Sequence, residues 1–293
     1  MMKIISLFLL STLALLTSSM TLRPNDAKRY DCTYVETINV SYEQDRYQVI
    51  SMKRQPGNHV RAKYFAALDE QRNSVYTRFQ RWSADKNVIL ASSGTYMDNT
   101  RTPVGLTIDN GTLVNKNLTN WDGLVIIYAT GGIAVTNLKN DDLTVDIGGV
   151  ATKYRIRNSS YDLQSFIEWA ARNQATVFQT HLLAYKNQLT IAANSSTNTA
   201  ERRFLAVGKN EEGELYHVIV QCPSNGLTLM VGAQKALRFL NNFQNIDVTF
   251  MINLDTGSQD VFRLYNCDGT ENPMVKGKRT LPEAANLLAY YYE

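Results

Sequence analysis

The 293-residue sequence has few of the residues that usually mark a metal or nucleic-acid site. It contains only three cysteines and three histidines, and 30 basic residues nearly balance 27 acidic ones. Because there is no CxxC pair and no cluster of cysteine with histidine, a structural zinc site is not indicated. The odd number leaves at least one of Cys32, Cys222 and Cys267 unpaired within the chain, and a Cys222–Cys267 pair is one option. No block of lysine or arginine occurs, so nucleic acid is not an expected partner.

Several catalytic motifs are also missing. There is no GxxxxGK[ST] phosphate loop, no GxSxG elbow and no HExxH helix, and the pair Gly131-Gly132 lacks the spacing of a dinucleotide site. Three histidines leave few candidates for a catalytic triad or a poly-histidine metal site. No metal site and no required cofactor are therefore expected, while the use of a divalent cation stays open.

The N-terminus has the layout of a secretory signal peptide. A short basic start is followed by an almost entirely apolar run over residues 4–16 and then by small residues. That run is shorter than the ~20 residues of a membrane span, although a retained signal anchor is the alternative. We therefore expect a signal peptide at residues 1–20, one domain at residues 21–293 without a stable membrane span, and a secreted, periplasmic or cell-envelope location.

The chain beyond residue 20 predicts an α+β fold, with mostly antiparallel or mixed sheets flanked by a few helices. Predicted strands outnumber helices, and turn-linked hairpins outnumber strand-helix-strand units, which favours one or two mostly antiparallel sheets. The sequence predicts an early hairpin over residues 34–52 and helices over residues 61–85, 163–172 (capped by Asp162) and 229–240 (capped by Thr228). It also predicts strands over residues 87–91 and 176–185, and a strand over residues 248–252 whose hairpin partner is residues 260–265.

Asp255 is the first candidate for a catalytic residue. It follows a short apolar run and precedes Gly257 and Ser258, the pattern of a buried strand that ends in a turn. Rigid strand ends beside loops often carry catalytic groups, although such an aspartate also serves simply to cap a turn. His181 is the second candidate, because histidine serves as an acid-base group near neutral pH.

The remaining histidines have simpler interpretations. His217 lies in the middle of a predicted strand and is expected to be structural, and His59 lies in an exposed turn. Arg202 and Arg203 adjoin on another predicted strand, so their side chains point to opposite faces. An inward-facing arginine needs an anion, which is either a carboxylate of the chain or a bound phosphate.

Five short stretches, in order, resemble the phosphodiester glycosidase domain. That family has a small-residue loop after an early strand, a Pro-Val-Gly strand with an Asp-Gly turn, an arginine strand, a Gly-Leu-Thr helix and an Asn-Leu-Asp-Gly-Gly-Gly-Ser loop. The resemblance covers residues 83–293. The matching stretches are ASSGTYMD (91–98), TPVGLTIDNG (102–111), RRFLAVG (202–208), NGLTL (225–229) and INLDTGS (252–258).

The resemblance implies hydrolysis of the sugar C1–O–phosphate bond in a phosphorylated glycan or glycoconjugate. In this sequence Asp255 would serve as base or nucleophile, with His181 assisting. The substrate phosphate would be held by Arg203 or Arg202, together with a backbone and hydroxyl cradle from the two flanking loops. The expected members of that cradle are Ser93, Gly94, Gly257 and Ser258.

The sequence also departs from the family pattern at the two loops. Ser93 stands where the family usually has asparagine, Thr256 replaces a glycine, and Gln259 follows Ser258. The arginine strand has one more residue between arginine and glycine than the common form. These departures motivate the alternative of a secreted module that binds a glycan or a protein without turnover.

Overall fold

The computed structural model describes residues 32–54, 60–66, 68, 71–140, 143–192, 197–274 and 276–293. The signal-peptide prediction and His59 lie outside these residues. The helices are α1 Val75–Ser83, α2 Ser160–Arg172 and α3 Leu229–Asn242. The strands are β1 Val35–Tyr42, β2 Asp45–Arg54, β3 Val60–Phe65, β4 Asn87–Ser92, β5 Thr107–Asp109, β6 Thr112–Asn115, β7 Gly123–Ile127, β8 Ile133–Asn137, β9 Leu143–Ile147, β10 Val150–Tyr154, β11 Thr176–Thr180, β12 Leu182–Tyr185, β13 Gln188–Leu189, β14 Ala200–Lys209, β15 Leu215–Leu227, β16 Asp247–Leu254, β17 Phe262–Tyr265, β18 Glu271–Asn272 and β19 Leu287–Tyr292.

These elements form an α+β fold, which confirms the predicted class. The large sheet has the order β1-β2-β15-β14-β16-β12-β13, the middle sheet β6-β5-β11-β7-β8 and the terminal sheet β18-β17-β4-β19-β3. A separate small hairpin pairs β9 with β10. The expectation of one or two sheets is therefore wrong. Within the described residues every ladder between these strands is antiparallel.

The three larger sheets surround one shared core, and each has a helix on its other face. Alternate side chains of each sheet meet in the centre, as Leu205, Phe178 and Tyr290 do. The opposite faces pack against α3 on the large sheet, α2 on the middle sheet and α1 on the terminal sheet. Because successive residues of a strand point to opposite faces, each buried strand contributes to two clusters.

Three local expectations are corrected by the structure. The helix over residues 61–85 is wrong at its start, because β3 pairs with β19 in register and buries alternate side chains. The partner expected for β16 is also wrong, because β17 pairs with β4 and β18 in the terminal sheet. Helix α2 does form, but its cap is Ser159, whose hydroxyl accepts the backbone N–H of Asp162 at 3.1 Å.

The structure also contradicts the Cys222–Cys267 pair that the sequence left as an option. Cys222 is a buried free thiol, whereas Cys267 is disulfide-bonded. Burial raises the pKa of the Cys222 thiol to about 12, so it stays protonated and packs as a small apolar side chain.

No helix in the described ranges combines the length and the apolar character required for a membrane crossing.

Candidate functional site

The candidate site lies where one strand from each of the three larger sheets ends. Strand β4 leads into Gly94, β11 leads into His181, and β16 leads into Asp255. Backbone hydrogen bonds join these ends, because the Asp255 N–H donates to the carbonyl of Gly94 at 3.0 Å and the Asn253 N–H donates to that of His181 at 3.1 Å. At His181 the chain passes from the middle sheet into the large sheet. The fold thus brings together loop residues that are far apart in sequence.

Asp255 is a buried carboxyl group with an elevated proton affinity. Only 4% of its surface is exposed, and its Oδ1 accepts the backbone N–H of Gly257 at 2.8 Å. Burial raises its pKa above the ordinary value, and the nearby Asp260 charge adds to that rise. The Gly257 N–H and the charges of Arg203 and Lys278 act in the opposite direction. An ionised Asp255 is therefore a stronger base than an exposed aspartate.

The loop after Asp255 is held by side chains from elsewhere in the chain. The Thr256 hydroxyl donates to the carbonyl of Glu201 at 2.7 Å, and Lys278 Nζ donates to the carbonyl of Thr256 at 2.8 Å. One residue further, Arg279 Nε donates to the carbonyl of the exposed Ser258 at 2.9 Å. Thr256 therefore fastens this loop to the start of β14.

The groups expected to form a phosphate cradle are largely occupied within the chain. The backbone N–H of Gly94 donates to Asn286 Oδ1 at 2.7 Å, and that of Gly257 donates to Asp255. The Ser93 hydroxyl donates to the carbonyl of Gln259 at 2.8 Å. These three residues hold the two loops in place, and in this structure their donors are not free for a substrate.

Arg203 points into the shared core and has a carboxylate partner. No part of its side chain is exposed, and its Nη1 lies 2.6 Å from Asp260 Oδ1. Its Nε and Nη2 donate to Gln221 Oε1 at 3.0 and 2.9 Å, and the guanidinium carbon lies 4.3 Å from the ring centre of Phe262. The anion that this buried arginine needs is therefore Asp260. In this structure a substrate phosphate has no open route to Arg203.

Arg202 points to the opposite face of β14, where the described residues include no such partner. It is 6% exposed, and its guanidinium donates to the carbonyls of Leu227, at 3.1 Å, and Asn198. Its stem lies over the first turn of α3, where a Cβ on Gly232 would stand 3.1 Å from Arg202 Cγ. Within the described residues no carboxylate forms an ion pair with Arg202. Burial lowers the pKa of the Arg202 guanidinium, as expected for a cation short of negative charge.

The charges of Asp255 and Arg202 both act on the Tyr96 hydroxyl. Burial, aided by the Asp255 charge, raises the pKa of Tyr96 to about 12, and the Arg202 charge lowers it in part. The Tyr96 oxygen accepts Asn253 Nδ2 at 2.7 Å, so the Tyr96 proton remains available to another acceptor. Asn253 Nδ2 also reaches the carbonyl of Leu254 at 3.0 Å, which fixes the amide orientation. Asn253 Oδ1 is then buried without a hydrogen-bond partner among the described residues.

His181 is neutral in this environment. Burial and the Arg202 charge lower its pKa to about 4, while Asp122 acts weakly in the opposite direction. Its ring lies 4.8 Å from that of Trp121 and 5.9 Å from that of Tyr96, measured between ring centres. At neutral pH it can accept or relay a proton, but it does not supply a positive charge to a phosphate.

Sequence reasoning placed Asp255, His181 and Arg202 in this region but did not identify Tyr96 and Trp121 as site residues. Tyr96 lies inside the ASSGTYMD stretch, so the resemblance of that stretch could have identified it as a site residue. Trp121 carries no motif, and only its ring contacts reveal it. His217 is buried and its Nδ1 lies 2.8 Å from the Tyr290 hydroxyl, as a structural residue should.

No group of three or more histidine, cysteine, aspartate or glutamate side chains suited to a metal ion occurs among the residues that the structure describes.

Comparisons with known proteins show a likeness of fold. No family model and no curated protein matches the sequence. A zebrafish N-acetylglucosamine-1-phosphodiester alpha-N-acetylglucosaminidase catalytic domain has a similar fold, with a TM-score of 0.50, 16% identity and coverage of 91% of this chain and 86% of that one. A hypothetical Synechocystis protein scores 0.44 at 13% identity, covering 88% and 62% of the two chains. A putative exported protein of Burkholderia pseudomallei scores 0.40 at 11% identity, covering 84% and 74%. The likeness to the zebrafish domain is one of overall fold.

Proposed function

We propose that this chain is an exported hydrolase that cleaves the sugar C1–O–phosphate bond of a glycosyl-1-phosphodiester. The observation that carries the proposal is the convergence of three strand ends: the Asp255 N–H donates to the Gly94 carbonyl at 3.0 Å, and the Tyr96 ring lies 5.9 Å from that of His181. The charges of Asp255 and Arg202 both act on the Tyr96 hydroxyl there. A sugar-1-phosphodiester needs a carboxylate at the sugar carbon and a cation at the phosphate. The similar fold of a phosphodiester glycosidase domain supports the same reaction class.

Each residue has a role that follows from its environment. Ionised Asp255 acts as base toward water or as nucleophile toward C1, and its raised pKa makes it the stronger base. Arg202 holds the departing phosphate anion, because its guanidinium has no carboxylate partner among the described residues. Tyr96 stays protonated and donates a hydrogen bond to an oxygen of the phosphodiester, while neutral His181 relays a proton.

The substrate class follows from the same reasoning. A phosphate is already a good leaving group, so strong acid assistance is less important than stabilisation of the oxocarbenium-like transition state. We propose that no cofactor is required. We also propose that the enzyme acts outside the cytoplasm, because the N-terminal sequence predicts a signal peptide, and that its substrate is a phosphorylated envelope glycan or extracellular glycoconjugate.

The test is hydrolysis of a panel of sugar-1-phosphodiesters by the purified protein and by Asp255→Asn. We expect release of free sugar by the unmodified protein and a fall of ~10²–10⁴-fold in the variant, because the acid-base or nucleophilic group is lost. Asp146→Asn is a matched control, since Asp146 Oδ1 also accepts a glycine N–H (from Gly149, at 2.9 Å) but lies exposed on the small hairpin. Equal rates for Asp255→Asn and the unmodified protein would contradict the assignment.

A module that binds without turnover is the second candidate function. It is favoured by the cradle groups of Gly94 and Gly257, whose N–H donors are already used within the chain. Such a module would bind sugar phosphodiesters and release no product from any of them. Calorimetric binding measured beside the hydrolysis assay separates the two functions.

A further inference from the structure

A cleft of about 470 Å³ opens next to the candidate site on the side of His181. Its volume lies within the usual range for small-molecule sites, roughly 300–1,000 Å³. Trp121, His181 and Ile191 are among the residues that line this cleft, and the Trp121 and His181 rings lie 4.8 Å apart between their centres. Polar side chains of Asn120 and Asp122 line the same cleft. An aromatic surface beside hydrogen-bonding groups is an environment for a ligand that has both an apolar and a polar side.

The segment that carries Trp121 is fixed by two buried or half-buried side chains. Gln179 is fully buried, and its Nε2 donates to the carbonyls of Trp121, at 2.6 Å, and Thr119, at 3.0 Å. Arg157 Nη2 donates to the same Trp121 carbonyl at 2.7 Å. The backbone of the segment is therefore fixed. The Trp121 ring packs against those of Tyr96 and His181, at 5.4 and 4.8 Å between ring centres, so little conformational freedom is lost when a ligand binds there.

The polar groups of the cleft retain hydrogen-bonding capacity. Asp122 Oδ1 accepts Arg157 Nη1 at 2.8 Å, whereas Asp122 Oδ2 has no partner in the part of the chain that the structure describes. The side chain of Asp122 is 30% exposed, so this oxygen can reach a ligand. Asn120 is exposed at the rim and supplies both an amide donor and a carbonyl acceptor. Lys139, also exposed, adds an ammonium donor.

We propose that this cleft binds an uncharged hexopyranose ring of the substrate, next to the bond that is cleaved. The axial C–H face of the sugar packs on Trp121, and neighbouring hydroxyl groups bond to Asp122 Oδ2 and Asn120. A pyranose has one apolar face and a polar edge, and the lining residues include both aromatic and hydrogen-bonding side chains. The charged residues among them, Lys139 and Asp122, have opposite signs, so the lining does not favour a charged ligand. The position of this sugar relative to the reaction rests on the proposed function.

The test uses saturation-transfer NMR with the methyl glycosides of glucose, galactose, mannose and N-acetylglucosamine and with cellobiose, maltose and N,N′-diacetylchitobiose. We expect transfer to the ring protons of at least one sugar, and a roughly tenfold weaker affinity in Trp121→Ala, which corresponds to about 1.4 kcal/mol. Trp121→Phe should restore most of the affinity because an aromatic face is retained. Trp82→Phe is the matched control, since Trp82 packs on Phe65 and Tyr291 on the α1 side of the terminal sheet.

Two results would overturn this inference: no saturation transfer to any of these sugars, or transfer that Trp121→Ala leaves unchanged. Failure of the proposed function looks different. In that case a sugar binds in a Trp121-dependent way, but no sugar-1-phosphodiester is hydrolysed, and the cleft remains a sugar site without the reaction. If hydrolysis occurs and Trp121→Ala changes neither KM nor sugar binding, the reaction stands and the cleft assignment falls.

Discussion

Arg202 and Arg203 are neighbours on β14, yet they lie in two different electrostatic environments. Arg203 points into the shared core, where Asp260 and Gln221 satisfy its guanidinium. Arg202 points toward α3, where its hydrogen-bond partners among the described residues are backbone carbonyls. Both side chains are buried, so burial alone does not separate a structural arginine from a binding one. The difference lies in whether the chain itself supplies the anion.

The same contrast explains the placement of the candidate site. The Arg203–Asp260 ion pair holds the far end of the loop that begins at Asp255, so it acts as a positioning device beneath the site. On the other face of the strand, burial lowers the pKa of His181 and the Arg202 charge adds to that fall. The same charge offsets in part the rise that burial causes in the pKa of Tyr96. One strand therefore separates a part of the molecule that serves stability from a part that is suited to bind an anion.

The largest expected effect comes from Arg203→Met. Removal of one partner of a buried ion pair leaves Asp260 buried without its cation, which typically destabilises a protein by about 3–5 kcal/mol. Urea unfolding followed by circular dichroism measures this loss. The matched substitution Arg202→Met should change the free energy of unfolding by about 1 kcal/mol or less, because relief of an unneutralised buried charge offsets the lost hydrogen bonds to carbonyls.

A second variant keeps this comparison interpretable if Arg203→Met fails to fold. The double substitution Arg203→Met with Asp260→Leu removes both charges and should recover much of the lost stability, as apolar replacements of buried ion pairs often do. Equal destabilisation by Arg202→Met and Arg203→Met would show that the two arginines are not distinguished by their partners.

A smaller effect is expected from Asp255→Asn on the pH dependence of stability. The folded-state pKa of Asp255 is raised above its unfolded value of about 4, so the folded state favours the protonated carboxyl. The stability that this protonated carboxyl contributes is fully present below about pH 4 and is lost as the pH rises through the folded-state pKa. The asparagine variant does not undergo this loss. Its stability relative to the parent should therefore increase with pH above 4, at up to about 1.4 kcal/mol per pH unit, and then level off.

Thermal unfolding at several pH values between 3 and 8 measures this difference. A difference between the two proteins that stays constant over the whole range would contradict a raised pKa for Asp255. A variant that becomes less stable as the pH rises would indicate that the ionised carboxylate stabilises the fold, which is the behaviour of a turn-capping aspartate.

Much of the local structure could be predicted from the sequence where short-range signals are strong. The turn at Asn110 and Gly111 has the positive φ values, 50° and 82°, that the Asp-Asn-Gly stretch predicts. Thr228 caps α3 by accepting the backbone N–H of Val231 at 3.3 Å. The strand at residues 60–65 was missed because its aromatic residues also fit a helical period, and only pairing with β19, more than two hundred residues away, decides between the two.

The residues of the candidate site also differ in whether the sequence could predict them. Asp255 could be identified because a strand end followed by glycine and serine is a local pattern. The roles of Arg202 and Arg203 could not be assigned, since alternation places them on opposite faces but does not say which face supplies a carboxylate. Trp121 could not be found, because its contact with His181 depends on how the middle sheet meets the large sheet.

The most direct test of the contrast between the two arginines is kcat/KM for hydrolysis of a sugar-1-phosphodiester by the unmodified protein, Arg202→Met and the surface control Arg238→Met. Arg238 is about half exposed and pairs with Glu43 away from the site, so its substitution should leave activity unchanged. For Arg202→Met we predict a fall of roughly 10²-fold or more in kcat/KM with little change in stability, because the cation that holds the phosphate is lost. An unchanged kcat/KM in folded Arg202→Met would contradict the assignment of Arg202 as the phosphate-binding residue.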